Sequence, residues 1–214
     1  MTDAAAAGRL RPQYQDLATQ AHAARVGMWA FLASELLFFG ALFALYAGYR
    51  AEYASAFARA TRETDLVLGS VNTGLLITAS LVVALAVAAV REARARAASW
   101  LLASAAALGI AFLALKGIEY AHHFGEGIYP GAWYRYPGLP GQGAKVFFTL
   151  YYLMTGLHAL HVAAGVVLLL ALAVTARRGR FTPEWHTPLE LGGLYWHLVD
   201  VIWIFLWPLF YLIH

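Results

Sequence analysis

The sequence contains no cysteine and few charged residues. None of its 214 residues is Cys, and Asp, Glu, Lys and Arg together make up only 13%. The absence of cysteine excludes disulfide bonds, thiolate metal sites and a catalytic thiol. The scarcity of charge, together with 61% hydrophobic residues, departs from the composition of a soluble domain, in which about a quarter of the residues are charged. The composition therefore indicates a membrane protein.

Several functional sequence patterns are also absent. The sequence contains no phosphate-binding loop, nucleotide fingerprint, zinc-protease motif or hydrolase triad motif. The formal net charge of +3 comes mostly from short loops, and no basic patch with interleaved aromatic residues supports nucleic-acid binding. Residues 1–25 contain charged side chains and no apolar run. They are predicted to form a polar tail with no cleavable signal peptide.

Five apolar segments are each long enough to cross a bilayer, which takes about 20 helical residues. A β-barrel would show short segments of alternating hydrophobicity, whereas these segments are continuously apolar. We therefore predict an all-α, polytopic membrane fold in which residues 26–214 form one five-helix transmembrane domain. The predicted spans cover about residues 26–49, 66–90, 97–120, 146–176 and 191–213.

Lysine and arginine are distributed unequally between the two sides of these spans. The side of the amino terminus carries nine, namely Arg9, Arg11, Arg25, Arg91, Arg94, Arg96, Arg177, Arg178 and Arg180. The other side carries five, namely Arg50, Arg59, Arg62, Arg135 and Lys145. Because an excess of these residues marks the cytoplasmic side, the tail of residues 1–25 is predicted to be cytoplasmic and the carboxyl terminus outside. The Gly/Pro-rich segment from Ala121 to Lys145 predicts an ordered or mobile outer loop.

Ionisable residues inside the predicted spans are the candidates for function. A charged side chain at the centre of a membrane helix costs about 2.5–3.5 kcal/mol on insertion scales, so such residues are expected to be paired or used. Glu35 is a candidate for proton exchange; the alternative is a structural carboxyl group hydrogen-bonded to a neighbouring helix, with His158 or His161 as its expected partner. The predicted buried polar network consists of Glu35, His158, His161, His197 and Asp200.

Three pairs of ionisable side chains in the predicted spans are spaced three residues apart and so share a helix face. His158 with His161, and His197 with Asp200, have a spacing that permits metal ligation or hydrogen bonds between helices. Because the spacing shows no set of four ligands, we predict no metal site. Because the catalytic motifs named above are absent, we also predict no catalytic residue. The third pair, Lys116 and Glu119, lies near the outer end of its helix, where the two can pair or extend to the headgroups.

A cluster of three arginines follows the fourth span. It is first an orientation signal, and it can also bind an anionic lipid headgroup. Two residues in the second turn of the last predicted helix lie near the same interface. The predicted lipid-binding residues are therefore Arg177, Arg178, Arg180, Trp196 and His197.

Three strings on separate helices resemble subunit III of the haem–copper cytochrome c oxidases. The third string is the most specific, and Asn72-Thr73 and Glu119-Tyr120 also fit the family. The resemblance covers about residues 26–213. The strings are GMWAFLASELLFF at residues 27–39, TGLHALHV at residues 155–162 and YWHLVDVIW at residues 195–203.

The resemblance implies a subunit of a proton-pumping terminal oxidase in aerobic respiration, multi-pass in a bacterial inner membrane. Such a subunit binds no haem or copper; these lie in partner subunits, among them the catalytic subunit I and subunit II. It holds phospholipid and supports proton uptake by the catalytic subunit. The family's buried glutamate corresponds to Glu35, and its other motif positions to His158, His161, Trp196, His197 and Asp200. Family members often have seven helices, so this chain resembles a short, five-helix form.

Other functions are weighed against this one. Subunit III of a ubiquinol oxidase and a nitric-oxide-reductase accessory protein share the motifs, so the electron donor stays open. A haem-bearing membrane oxidoreductase subunit would need paired histidines on two facing helices, and the histidine spacing does not provide them. A small transporter would show broken helices or inverted repeats, which the sequence does not contain.

Overall fold

A computed structural model describes residues 10–213 of the chain and divides it into two compact units, Met1–Phe38 and Phe39–His214. Five of the helices in the described residues are long and apolar enough to cross a membrane, which confirms the predicted all-α fold with five spans. Residues 1–9 of the predicted tail, and His214 of the predicted domain, lie outside the described residues. The helices are α1 Leu17–Glu52, α2 Ala54–Ala60, α3 Leu66–Arg91, α4 Ala95–Gly125, α5 Gln142–Arg177 and α6 Thr187–Tyr211.

The first unit contains a short turn and the beginning of α1. Helix α1 starts at Leu17, nine residues before the predicted span. The prediction followed the apolar run, whereas the helical hydrogen bonds extend into the polar residues that precede it. The carboxylate of Asp16 accepts a hydrogen bond from the Thr19 backbone N–H at 2.6 Å, as residues preceding a helix commonly do. That hydrogen bond lowers the pKa of Asp16, so the capping group is ionised at neutral pH.

In the second unit, α3 to α6 form a four-helix bundle. Helix α3 packs against α4 and α6, and α5 packs against the same two helices. Small residues such as Ala79, Ala86 and Ala105 are fully buried at the contacts, which allows the helix backbones to approach closely. Asp65 caps the start of helix α3: its carboxylate accepts hydrogen bonds from the Val67 and Leu68 N–H groups at 2.8 and 3.0 Å.

The carboxyl-terminal part of α1, from Phe39 onward, is hydrogen-bonded to the end of α6. The Tyr46 hydroxyl donates to the Leu209 carbonyl at 2.6 Å, and the Arg50 guanidinium donates to the Ile213 carbonyl at 3.1 Å. The short helix α2 follows, and its buried Phe57 ring lies edge-on to Tyr46. Helix α2 was not predicted, because seven residues are too few to show a helical period.

Helices α3 and α5 end in the same way, and this places two arginine-bearing turns on one side of the second unit. Ala93 and Gly179 have φ angles of 60° and 65°. The N–H groups of Arg94 and Arg180 then bond back to the carbonyls of Ala89 and Thr175. These are Schellman turns, which satisfy the last carbonyls of a helix.

The loop between α4 and α5 is shorter than predicted. Helix α4 continues to Gly125 and α5 starts at Gln142, so only residues 126–141 connect them, and the prediction of a loop from Ala121 was wrong. The loop has defined hydrogen bonds: the Tyr134 hydroxyl donates to the Leu139 carbonyl and the Tyr136 hydroxyl to the Glu63 carboxylate, both at 2.9 Å. Burial raises the pKa of Tyr134 to about 12, so this tyrosine remains a donor at physiological pH.

Candidate functional site

Inside the bundle, several hydrogen bonds join a cluster of buried side chains around Lys116, which we call the lysine clamp. It consists of Lys116, Glu119, Tyr151 and Tyr211, all with 2% or less of their surface exposed. The Lys116 ammonium group donates to Glu119 Oε2 at 2.9 Å and to the hydroxyls of Tyr151 and Tyr211 at 2.9 and 2.8 Å. Both tyrosine hydroxyls donate to Glu119 Oε1 at 2.7 Å.

The lysine clamp satisfies all its members and connects three helices. An ammonium group has three protons to donate, and all three are used. Lys116 and Glu119 belong to α4, Tyr151 to α5 and Tyr211 to α6. The predicted pairing of Lys116 with Glu119 is confirmed, whereas the alternative that they extend to the headgroups is wrong, because their side chains are 3% and 2% exposed. The spacing could not identify the two tyrosines, which lie on other helices.

His158 lies next to the lysine clamp and is held by aromatic rings. It is fully buried, its ring stacks on Trp203 at 5.1 Å, and it meets Phe112 edge-on at 5.6 Å. Within the described residues of the second unit, neither of its ring nitrogens has a hydrogen-bond partner. The Trp203 indole N–H donates to Thr73 at 2.9 Å. His158 therefore contributes ring packing rather than hydrogen bonds to this part of the bundle.

His161 has a defined tautomer. Its Nδ1 lies 2.8 Å from the Leu157 carbonyl oxygen; since a carbonyl only accepts, Nδ1 must carry the proton. The backbone carbonyl of His161 accepts a hydrogen bond from the Tyr195 hydroxyl at 3.0 Å, and its ring lies edge-on to Phe39. His161 is thus held by α6 and by the carboxyl-terminal part of α1.

His197 and Asp200 both lie near Ser80 on another helix. His197 Nδ1 lies 2.6 Å from the Ser80 hydroxyl of α3, and the carboxyl group of Asp200 lies close to the same hydroxyl. The three side chains link α3 and α6 in the middle of the bundle. The spacing of three predicted that His197 and Asp200 face one neighbour, but Ser80 carried no signal in the sequence.

Trp196 is a packing residue with 1% of its surface exposed. A Cβ atom built on Gly109 of α4 would lie 2.8 Å from the Trp196 ring, and one built on Gly165 of α5 would lie 2.9 Å from it. The indole therefore fills the space that these two glycines leave between α4, α5 and α6. This burial contradicts the prediction that Trp196 meets lipid headgroups.

The arginines after α5 lie at the surface. Arg177, Arg178 and Arg180 are exposed, and the Arg177 guanidinium lies 5.7 Å from the ring centre of Trp100. Arg177 and Arg178 line a surface cavity of about 660 Å³, which we call the arginine pocket. Sequence reasoning used the arginines on the opposite side of the pocket only for orientation. The pocket is lined by Ala93, Arg94, Ala95, Arg96, Ala97, Ala176, Arg177, Arg178 and Gly179.

Glu35 belongs to the first unit, where it is half-buried on α1. Its pairing with His158 or His161 stays a prediction, and so does a single polar network that joins all five predicted residues. Within residues 10–213, no group of three or more His, Asp or Glu side chains is arranged to hold a metal ion. The polar groups of the second unit described above bond or pack between helices.

The comparisons with known proteins identify the family. The family profile described as "Cytochrome c oxidase subunit III" matches residues 9–214. The "Cytochrome c oxidase subunit 3" of Thermostichus vulcanus is 34% identical over 189 residues, which cover 88% of this chain and 86% of that protein. The protein of the same name from Alkalihalophilus pseudofirmus is 30% identical, over 87% of this chain and 85% of its own length.

A relative named as a quinol oxidase subunit is also similar. The "Probable quinol oxidase subunit 3" of Staphylococcus aureus strain USA300 is 27% identical over 192 residues, with 88% of each chain covered. All these matches extend over most of both chains, and the family profile includes all five spans. The chain belongs to the cytochrome c oxidase subunit III family and is a subunit III of a haem–copper oxidase.

Proposed function

We propose that the chain is an accessory subunit of an oxidase whose electron donor is cytochrome c, in a bacterial inner membrane. It packs beside the catalytic subunit I and subunit II, which hold the haem and copper. The observation that carries the donor assignment is the order of similarity: the two relatives named after cytochrome c oxidase are 34% and 30% identical, against 27% for the one named after a quinol oxidase. A quinol oxidase or a nitric-oxide-reductase accessory role is the alternative.

The interior of the second unit supports an accessory role. Lys116 and Glu119 neutralise each other between α4, α5 and α6, and His197 bonds a serine of α3. Groups engaged in this way hold helices in place, and a rigid bundle is suited to support a neighbouring subunit. Phospholipid binding and support of proton uptake are parts of the same proposal.

Affinity purification of the tagged chain from native membranes tests the assembly. Subunits I and II should co-purify with it, together with haem absorption, and electron transfer from reduced cytochrome c should proceed. When detergent releases this chain from the complex, the haem absorption should stay with the partners. Haem that follows the released chain would contradict the accessory role, and activity with a quinol but not with cytochrome c would favour the alternative donor.

The orientation, with the amino terminus in the cytoplasm and the carboxyl terminus outside, also remains a proposal. It rests on the nine arginines on one side against five basic residues on the other, because basic residues accumulate on the cytoplasmic side. We expect a reporter that is active only outside the cell membrane to be active when fused after His214. The same reporter placed in the turn at Glu92 serves as the inverse control, and activity there would contradict the orientation.

Glu35→Gln separates the two interpretations of Glu35. If the carboxyl group only bonds a neighbouring helix, the amide keeps the shape and the variant should be nearly silent. If the group exchanges protons, the variant loses its titratable group and turnover should fall at high pH or during sustained activity. We expect an assembled oxidase with a normal haem spectrum and at most a modest loss of activity.

The control for this variant is Glu52→Gln, which makes the same change at an exposed position on α1. The pH profile of oxygen consumption and its decay over many turnovers are the measurements. Complete loss of oxygen reduction by Glu35→Gln, with normal assembly and haem spectrum, would show that this subunit is not peripheral to the chemistry.

A further inference from the structure

The arginine pocket brings together two segments that are far apart in the sequence. The turn between α3 and α4 supplies Arg94, the first turn of α4 supplies Arg96, and the end of α5 supplies Arg177 and Arg178. Four of the nine lining residues are arginine and none is acidic. The usual excess of basic residues on the cytoplasmic side explains the number of arginines on this side of the membrane. It does not explain why four of them line one cavity.

The local charges favour an anion in this cavity. Helix α4 begins at Ala95 with no side-chain cap, and Ala95, Arg96 and Ala97, whose N–H groups belong to the first turn, line the pocket. The last carbonyls of α3 and α5 nearby are satisfied by their Schellman turns. Glu92, in the turn before the pocket, pairs with Arg94 at 3.4 Å, with both side chains about two-thirds exposed. Such exposed pairs are weak. Glu190 of α6 pairs with Arg91, which does not line the pocket.

The size of the pocket and its position at the ends of the spans match a lipid headgroup. The pocket lies where α3 ends and α4 begins, at the level at which two apolar spans reach the membrane surface. Trp100, one turn into α4, is 69% exposed and lies against Arg177; tryptophan is enriched at the headgroup level of membranes. Basic pockets between membrane helices on the cytoplasmic side are a known arrangement for anionic lipid headgroups.

We infer that the arginine pocket binds the phosphate group of an anionic phospholipid of the cytoplasmic leaflet. Arginine suits this group because its planar guanidinium donates two parallel hydrogen bonds to phosphate oxygens. The inference deepens the proposed lipid binding and rests on it. It changes the predicted set of residues: Arg94 and Arg96 join Arg177 and Arg178, while Arg180 does not line the pocket and Trp196 is buried.

The test uses the purified oxidase complex and phosphatidylglycerol as the probe. Binding of a fluorescent phosphatidylglycerol is measured in detergent micelles for the wild type, Arg96→Gln, Arg178→Gln and the control Arg180→Gln. Each pocket variant should weaken binding at least about tenfold, because a hydrogen bond to a charged group contributes about 1.5–3 kcal/mol. Arg180→Gln removes the same charge on the same side of the membrane. Because Arg180 does not line the pocket, this variant loses no hydrogen bond to the phosphate, and its affinity should stay within about twofold of the wild type. An unchanged haem spectrum shows that each variant is assembled.

The possible failures are distinguishable. If the wild type binds phosphatidylglycerol and neither pocket variant weakens it, the pocket is not the site, although the proposed lipid binding stands. Equal loss in Arg180→Gln would show attraction to surface charge in general and would overturn the inference. If millimolar inorganic phosphate displaces the lipid, the pocket is assigned to free phosphate, and the inference that the phosphate group belongs to a lipid is overturned. If the wild type binds no phosphatidylglycerol at all, the proposed lipid binding itself fails.

Discussion

Lys116→Met should destabilise the bundle more than any other single change to a polar residue described above. The methionine keeps the length and apolar stem of the side chain but removes all three hydrogen-bond donors from the lysine clamp. Glu119 is then left as a buried carboxylate with only two tyrosine hydroxyls as partners. Loss of one member of a buried ion pair typically costs about 3–5 kcal/mol, since the remaining charge can neither pair nor reach water.

The measurement is the thermal midpoint at which this chain unfolds or leaves the purified oxidase. For a chain of this size, the expected loss corresponds to a midpoint lower by roughly 6–20 °C. Lys145 is the other lysine in the sequence and is half-buried near the start of α5, so Lys145→Met is the matched control and should change little. A midpoint for Lys116→Met equal to that of Lys145→Met would contradict a role of the clamp in stability.

The double variant Lys116→Met/Glu119→Gln tests whether the destabilisation comes from the unpaired charge of Glu119. It removes both charges together, so no unpaired ion remains in the bundle, and it should be less destabilised than the sum of the two single variants. Strictly additive effects would mean that the two residues act independently, which the 2.9 Å contact between them argues against.

Gly165→Ala should weaken the packing of α5 against α6. The new Cβ would lie 2.9 and 3.0 Å from two atoms of the Trp196 ring. The ring is itself confined on its other side by Gly109, at which a Cβ would lie 2.8 Å away. Trp196 is therefore unable to move aside freely, and overpacking of this kind costs about 1–3 kcal/mol.

A matched control on the same helix is available in Gly156→Ala. The nearest atom to a Cβ at Gly156 is the Tyr120 hydroxyl oxygen at 4.0 Å, so this alanine fits. Both variants gain the higher helix propensity of alanine, worth up to about 1 kcal/mol, and this gain cancels in the comparison. Gly165→Ala should therefore have the lower thermal midpoint in the purified oxidase, and equal midpoints would refute the close packing of Trp196.

Some features follow from the sequence because they depend on neighbouring residues alone. The five spans are continuous apolar runs, and the structure has five long apolar helices at the same places. The pairing of Lys116 with Glu119 follows from their spacing, because residues three apart lie on one helix face. The three family strings likewise required no structure, and the family profile covers residues 9–214.

Contacts between helices required the tertiary structure. The spacing shows which residues share a face, but the face that meets a neighbour depends on how each helix is rotated. Tyr151 and Tyr211, 35 and 95 residues from Lys116, therefore could not be identified as its partners. The same rotation decides that Trp196 lies between two glycines instead of at the membrane surface, and that arginines from two distant turns line one pocket.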